Sequence, residues 1–257
     1  MQTATENELC TILVSSCDAY SDLWEPFFQL YRRYWPDRTF DLALITEAKG
    51  FGNPEVRALK MGAGRDWSSM LSDALIHLNT PYVLLTLEDF FLRGPVSNKL
   101  VEQLLGQMRL NDLQMLRLVP RPGPSIAVPG FSLFGLISRE APYRVSTQAS
   151  FWDVQTLRHL LVPGESAWEF EVNASRRSRS SGTFASVWRP ALPYRHHVVE
   201  RGKWFPWEAR RFSRMDIGVD LSARAIMPPL ETMHWLCRKV LGPAVAPLKR
   251  ALLRTLR

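Results

Sequence analysis

From residue 10 to about residue 120, short apolar runs alternate with longer stretches of helical periodicity. Cys10–Ser16 (CTILVSS) is an unbroken apolar run ending in small polar residues, the pattern of a parallel strand buried on both faces. Asp22–Tyr34 sets Leu23, Phe27, Leu30, Tyr31 and Tyr34 at helical spacing, and Pro36 stops the helix. Phe40–Thr46 (FDLALIT) is a second strand, so the chain opens as a strand–helix–strand unit, which implies a parallel sheet. A Gly-rich loop (Lys49 to Gly64) leads to a helix over Trp67–Leu78 and a third apolar strand over Pro81–Leu87, which runs straight into Glu88–Asp89. Asn98–Leu110 then predicts a helix and Met115–Val119 a strand. The Pro- and Gly-rich run 120–130 is a loop. Shorter strands are expected around Phe131–Ile137 and Tyr143–Thr147, and a helix over Val154–Leu161. The expected fold is α/β, with a mostly parallel central sheet flanked by helices.

The pattern changes near the C-terminus. Met233, Leu236, Val240 and Leu241 share one helical face, and after Pro247 a second set places Leu248, Leu252 and Leu256 opposite Lys249, Arg250, Arg254 and Arg257. Two regions follow: an enzyme-like domain over 1–228 and a basic amphipathic helical tail over 229–257. Helices of that kind lie on anionic membrane surfaces, or pack on their own domain or a partner.

Charge sharpens this division. Of the formal net charge of +7, residues 1–172 contribute −5, residues 173–215 contribute +8 and residues 229–257 contribute +5. A basic last third attracts phosphates on lipid, nucleic acid or a nucleotide diphosphate. The acidic first two thirds and the lack of a recognised nucleic-acid-binding motif argue against nucleic acid as partner. Three cysteines with no CxxC spacing argue against a disulfide framework and a zinc cluster, and the histidines lack metal-ligand spacing apart from the doublet His196–His197. With no leader-like N-terminus and no long apolar run, the expected location is cytoplasmic, peripheral at the inner membrane face.

In an open parallel α/β sheet, ligands bind at the carboxyl ends of the strands. That rule directs attention to Ser15–Asp18, Thr46–Glu47 and Glu88–Asp89. Paired carboxylates at a strand end can hold a divalent cation that bridges a diphosphate, or hydrogen-bond sugar hydroxyls. They can equally be a solvated strand end. A second cluster, Pro163–Glu171, interleaves Glu165, Glu169 and Glu171 with Trp168 and Phe170, and such a carboxylate can accept the proton of an acceptor hydroxyl. A third, Arg195–Trp204, offers Arg201 and Lys203 to neutralise a leaving diphosphate without a metal. The run Arg176–Arg179 with its serines reads as a mobile loop that orders over the donor.

Taken together, VSSCDAYSDLWEPFFQLYRRYWPD, DWSSMLSDAL, YVLLTLEDFFL, RVSTQASFWDVQTLRHLLVPGESAWEFE and VVERGKW resemble a group of bacterial glycosyltransferase-like proteins of surface-polysaccharide biosynthesis, such as O-antigen or capsule. The resemblance spans roughly residues 11–211 and implies a GT-A type (Rossmann-like) fold. It implies donor contacts at Ser16, Asp18, Thr46, Asp66, Trp67, Glu88 and Asp89, with Arg201 and Lys203 at the diphosphate. It implies a general base among Glu169, Glu171 and Glu165, Glu169 first, and acceptor contacts at Gln148, Trp152 and Trp168. The Asp-any-Asp triplet of the wider GT-A pattern is replaced by Glu88-Asp89-Phe90, which leaves two options: Mn2+ or Mg2+ at Asp89, or a metal-independent reaction.

The expected function is therefore transfer of a sugar, with inversion, from a nucleotide-diphosphate donor to a glycan or lipid-linked acceptor. A non-catalytic scaffold subunit of the same fold is the first alternative, and a basic nucleic-acid-binding protein the second.

Overall fold

The structure is a computed structural model that describes residues 9–196 and 198–237. His197 and the second basic segment, from Leu248 onward, lie outside the described residues. Two compact units are present, Met1–His196 and His197–Arg257. The 228/229 boundary expected from patterning falls inside the second of them.

The first unit is built on an eight-stranded sheet. Its first half comprises β1 (Cys10–Ser15), β2 (Asp41–Thr46), β3 (Val56–Lys60) and β4 (Tyr82–Leu87), joined by α1 (Trp24–Tyr34) and α2 (Trp67–Ile76). These four strands pair in parallel in the order β3-β2-β1-β4. β1 lies between β2 and β4, and the chain leaves it on one side and returns on the other. The carboxyl ends of β1 and β4 thus flank a topological switch point.

The second half contains α3 (Asn98–Leu110), β6 (Met115–Arg117), β7 (Phe134–Leu136), β8 (Ser150–Asp153), α4 (Val154–Leu160), α5 (Ala167–Arg177) and β9 (Phe184–Val187). The sheet continues as β4-β8-β6-β9-β7, with β8 and β7 antiparallel to their neighbours. Six of the eight strands therefore point one way. This is the α/β architecture expected from the sequence, a mostly parallel central sheet flanked by helices. A short ribbon pairs β5 (Phe91–Leu92), just beyond β4, with β10 (Tyr194–Arg195).

Burial of both sheet faces explains the uniformly apolar β1, β2 and β4. The core joins Leu13, Ile45 and Leu85 from these strands to Leu71 of α2, Leu157 of α4 and Phe170 of α5. Each large side chain so buried contributes about 1.5–3 kcal/mol. Trp35 is fully buried and its indole N–H donates to Asn98 Oδ1 at 2.9 Å, which ties the end of α1 to the start of α3.

Two expectations from sequence need correction. The loop expected over 49–64 contains the edge strand β3, and Tyr143–Thr147 is not a strand. That segment is held by Arg117, whose guanidinium donates to the carbonyls of Pro122, Tyr143 and Arg144 at 2.6–3.0 Å. Burial pushes the Arg117 guanidinium down to about 10.

The second unit contains a hairpin of β11 (Val199–Glu200) and β12 (Lys203–Trp204), followed by α6 (Pro206–Phe212) and a helical stretch over residues 229–237. Among the described residues no helix is long and apolar enough to cross a membrane.

Candidate functional site

The strand ends singled out by the sequence do converge. At the end of β1, the Trp67 indole N–H donates to Ser15 Oγ at 2.9 Å and that of Trp24 donates to Ser16 Oγ at 2.8 Å. Asp18 lies just beyond and bridges to the end of β2. Its carboxylate accepts the amide N–H groups of Glu47, Ala48 and Lys49 at 2.9–3.0 Å, while its own N–H donates to Glu47 Oε2 at 3.0 Å. Desolvation raises the Asp18 pKa, but the three amides outweigh it and hold the carboxyl below its usual range. Thr46 is fully buried at the end of β2, away from any ligand surface.

Glu88 is buried at the end of β4. Burial pushes the Cys17 thiol up, and the carboxylates of Glu88 and Glu47 add to that effect. Negative charge from three strand ends is therefore focused on one place. Lys49 supplies the cation there: its Nζ donates to Asp18 O at 3.1 Å and to Ser21 Oγ at 2.6 Å. Sequence reasoning missed Lys49, although it lies three residues past the end of a strand already singled out.

The acceptor-side residues enter from the antiparallel half of the sheet. Ser150 pairs with Leu85 of β4, so the chain just before β8 runs alongside the end of β4. Gln148 lies there. The Tyr194 hydroxyl donates to Gln148 Oε1 at 3.1 Å and accepts the amide of Ala149 at 3.0 Å. The Tyr194 ring stacks on Phe90, centroids 4.6 Å apart, directly after Asp89. Burial, with Asp89 among the contributing charges, raises the Tyr194 pKa. Tyr194 thus connects Gln148 to the Glu88–Asp89 end. Nothing in the sequence pattern marked it.

The Pro163–Glu171 cluster is resolved into three different environments. Gly164, at a φ of +90° that favours glycine, turns the chain into α5. Glu165, 9% exposed, receives Arg177 on both oxygens at 2.7 Å and Asn173 on one at 2.9 Å. The Arg177 guanidinium, more than any other group, holds the Glu165 carboxyl below its ordinary range. Glu169 closes a capping box, accepting the Ser166 N–H at 2.9 Å and the Ser166 hydroxyl at 2.7 Å. That backbone bond lowers its pKa first, with the Ser166 hydroxyl second. Both carboxylates are weakened as bases and occupied by the fold, which corrects the preference for Glu169 and sets Glu165 aside. Glu171 differs: Oε1 takes the amide and hydroxyl of Thr147, at 2.6 and 2.9 Å, and Oε2 makes no hydrogen bond among the described residues.

Other expected residues are placed as follows. Asp66 is the N-cap of α2, accepting the Ser69 amide at 2.9 Å, and hydrogen bonding from Ser69 lowers its pKa. Trp67 packs on Phe170 at 5.2 Å, linking the end of β1 to α5. Trp152 is only 1% exposed, packed on Phe184 within the core, so it has no face for an acceptor and is withdrawn from the site. Trp168 is 79% exposed on the first turn of α5. Arg201 and Lys203 belong to the second unit, and Lys203 is already neutralised there by Glu231. The Arg176–Arg179 run is no mobile loop: Arg177 completes α5, and Arg179 faces Glu140 at 3.4 Å. Among the described residues no three His, Cys, Asp or Glu side chains form a cation-sized cluster.

No family model matches the sequence, and no curated protein matches it. Among solved structures the chain is similar to S. aureus TarS 1–349, with 10% identity and a TM-score of 0.46, over 69% of this chain and 57% of that one. The same protein in complex with UDP-GlcNAc aligns with a TM-score of 0.44 at 10% identity, over 69% of this chain and 58% of that one. A cytidylyltransferase from Leptospira borgpetersenii aligns with a TM-score of 0.43 at 9% identity, over 72% and 77%. This chain thus spans little more than half of the TarS fragment. What the described residues define is an α/β fold with a mostly parallel central sheet and an acidic rim at the carboxyl ends of β1, β2 and β4.

Proposed function

We propose that the protein transfers a sugar from a nucleotide-diphosphate donor to a hydroxyl of a glycan or lipid-linked acceptor, with inversion. The observation that supports this is a chain of contacts from Glu171, which keeps one carboxylate oxygen uncommitted, through Thr147 to the neighbouring Gln148, and from Gln148 through Tyr194 to Phe90 beside Asp89. The nucleotide-sugar partner of TarS, UDP-GlcNAc, illustrates the class of donor.

In this scheme the donor lies across the ends of β1, β2 and β4, over the Ser15–Asp18 loop and its Trp67 brace. Glu171 Oε2 accepts the proton of the attacking hydroxyl. The acceptor oxygen bonds to the anomeric carbon as its bond to the diphosphate oxygen breaks, and the charge that develops there is met by Lys49. Gln148, fixed by Tyr194, orients a sugar hydroxyl. A Mg2+ or Mn2+ ion, where used, would be held by Asp89 with Glu88. When bound it would supply charge neutralisation of the leaving group.

The test is the variant Glu171→Gln. Turnover falls on the order of 10²–10⁴-fold while nucleotide diphosphate still binds. Unchanged turnover would remove Glu171 as the base. A scaffold of the same fold is the second reading, favoured by the absence of a three-ligand cluster among the described residues. It predicts nucleotide binding without turnover for wild type as well.

A further inference from the structure

We infer that the second unit docks on an anionic lipid surface through the outward face of the helical stretch over residues 229–237. This goes beyond the transferase proposal and does not depend on it.

A helix on the surface of a soluble unit ordinarily turns its polar face outward. Here the reverse holds. Leu230, Met233 and Leu236, at spacings of three, are 77%, 57% and 40% exposed. The opposite side is anchored: Trp235 meets Phe205 edge-on at 4.6 Å, and Thr232 is buried. Phe205 in turn stacks on half-exposed Trp207 at 4.9 Å, so an aromatic edge borders the same region. The apolar face is therefore held in place by contacts on the other side of the helix.

Charge selects the partner. A groove of about 640 Å³ beside the face is lined by Arg201 and His234 together with Glu200 and Glu231, next to Leu230 and Met227, so the cationic excess comes from the sequence that follows. Arg201 is exposed on a left-handed turn with a φ of +51°. The sequence continues past residue 237 with six Lys or Arg (Arg238, Lys239, Lys249, Arg250, Arg254 and Arg257) and no Asp or Glu in its last twenty residues. An exposed apolar face followed in sequence by a run of cations matches the interface of an anionic bilayer, where apolar side chains enter the acyl boundary and cations meet phosphate. A second copy of this chain would bring two such cationic C-terminal sequences together.

The experiment is co-sedimentation of the full chain with phosphatidylcholine vesicles and with equimolar phosphatidylcholine and phosphatidylglycerol vesicles. Wild type is expected to pellet with the second and not the first, less so as salt is raised. The double variant Leu230→Glu, Met233→Glu should lose at least about tenfold in partition, with its circular dichroism and thermal midpoint unchanged because both side chains are exposed. Leu110→Glu, at an 80% exposed leucine of the first unit, should leave partition as it was. Reversing Arg254 and Arg257 to Glu should cost roughly fivefold per residue. If wild type stays in the supernatant with anionic vesicles, the inference is overturned. A dimer by light scattering would then assign the face to a second copy, and a monomer to the chain's own last twenty residues. Equal loss in Leu110→Glu would also overturn it.

Discussion

The amide and the hydroxyl of Thr147 both donate to the same oxygen of Glu171, at 2.6 and 2.9 Å, and leave the other oxygen uncommitted. A carboxylate held by one oxygen and open at the other suits a general base, because its lone pair is aimed without being consumed. The contrast with Glu165 and Glu169, six and two residues earlier, decides among three chemically equivalent candidates.

Thr147→Val removes the hydroxyl bond and keeps the amide. It should lower turnover by about five- to tenfold, the kinetic equivalent of roughly 1 kcal/mol, with nucleotide affinity unchanged. Steady-state kinetics beside a binding titration would check this, and Thr147→Ser should restore most of the rate. A change confined to affinity would place Thr147 on the donor side instead.

Glu165 belongs to the fold. Glu165→Gln should destabilise the protein by about 1–3 kcal/mol, the range for a hydrogen bond to a charged group, with residual turnover per folded molecule near wild type. Its folded-state pKa is depressed, so its contribution is complete above the ordinary glutamate value of 4.5 and is lost as pH falls through the lower folded value. Urea midpoints measured from neutral pH down to acid should therefore fall less steeply in Glu165→Gln than in wild type.

The capping box makes a parallel claim. Ser166→Ala removes the cap of α5 and should lower stability by about 1 kcal/mol, read from denaturant midpoints. Glu169→Gln should keep its turnover. A loss of turnover in Glu169→Gln equal to that in Glu171→Gln would contradict the assignment of the base.

Much of this arrangement was legible in the sequence, for definite reasons. β1, β2 and β4 are unbroken apolar runs because both faces of the sheet are covered, and Asn98–Leu110 has the observed bounds of α3. β3 was hidden because it is an edge strand carrying Arg57 and Lys60, and so resembles a loop in composition. β8 and β9 are four residues each, too short for a periodic signal. The strand-end rule directed attention to Asp18, Glu88 and Asp89, which do lie just past the ends of β1 and β4. It could not assign the glutamates, because Glu165's partner is twelve residues away on the far end of α5 and Glu171's lies across the chain at Thr147. Trp152 was misjudged for the same kind of reason: β8's place between β4 and β6 buries it, and strand order is a property of the whole sheet.

Lys49 bonds Asp18 and Ser21 at the rim of the first unit, whereas Lys203 is paired with Glu231 within the second. Lys49→Met should weaken nucleotide-diphosphate binding by roughly tenfold, about 1.4 kcal/mol. Lys203→Met should weaken it far less. Isothermal titration at two salt concentrations checks the comparison, since a lost phosphate contact also flattens the salt dependence.

The central claim, a nucleotide-diphosphate site across the ends of β1, β2 and β4, is tested most directly by thermal shift with UDP, GDP, CMP and dTDP. Each is run with and without Mn2+ or Mg2+, on wild type and on Glu88→Gln, Asp89→Asn. A ligand that binds only the folded protein raises the midpoint by mass action. The account predicts a clear rise with one nucleoside diphosphate in wild type, and its loss in the double variant whose own midpoint is close to wild type. No rise with any nucleotide, or an equal rise in the double variant, would contradict it.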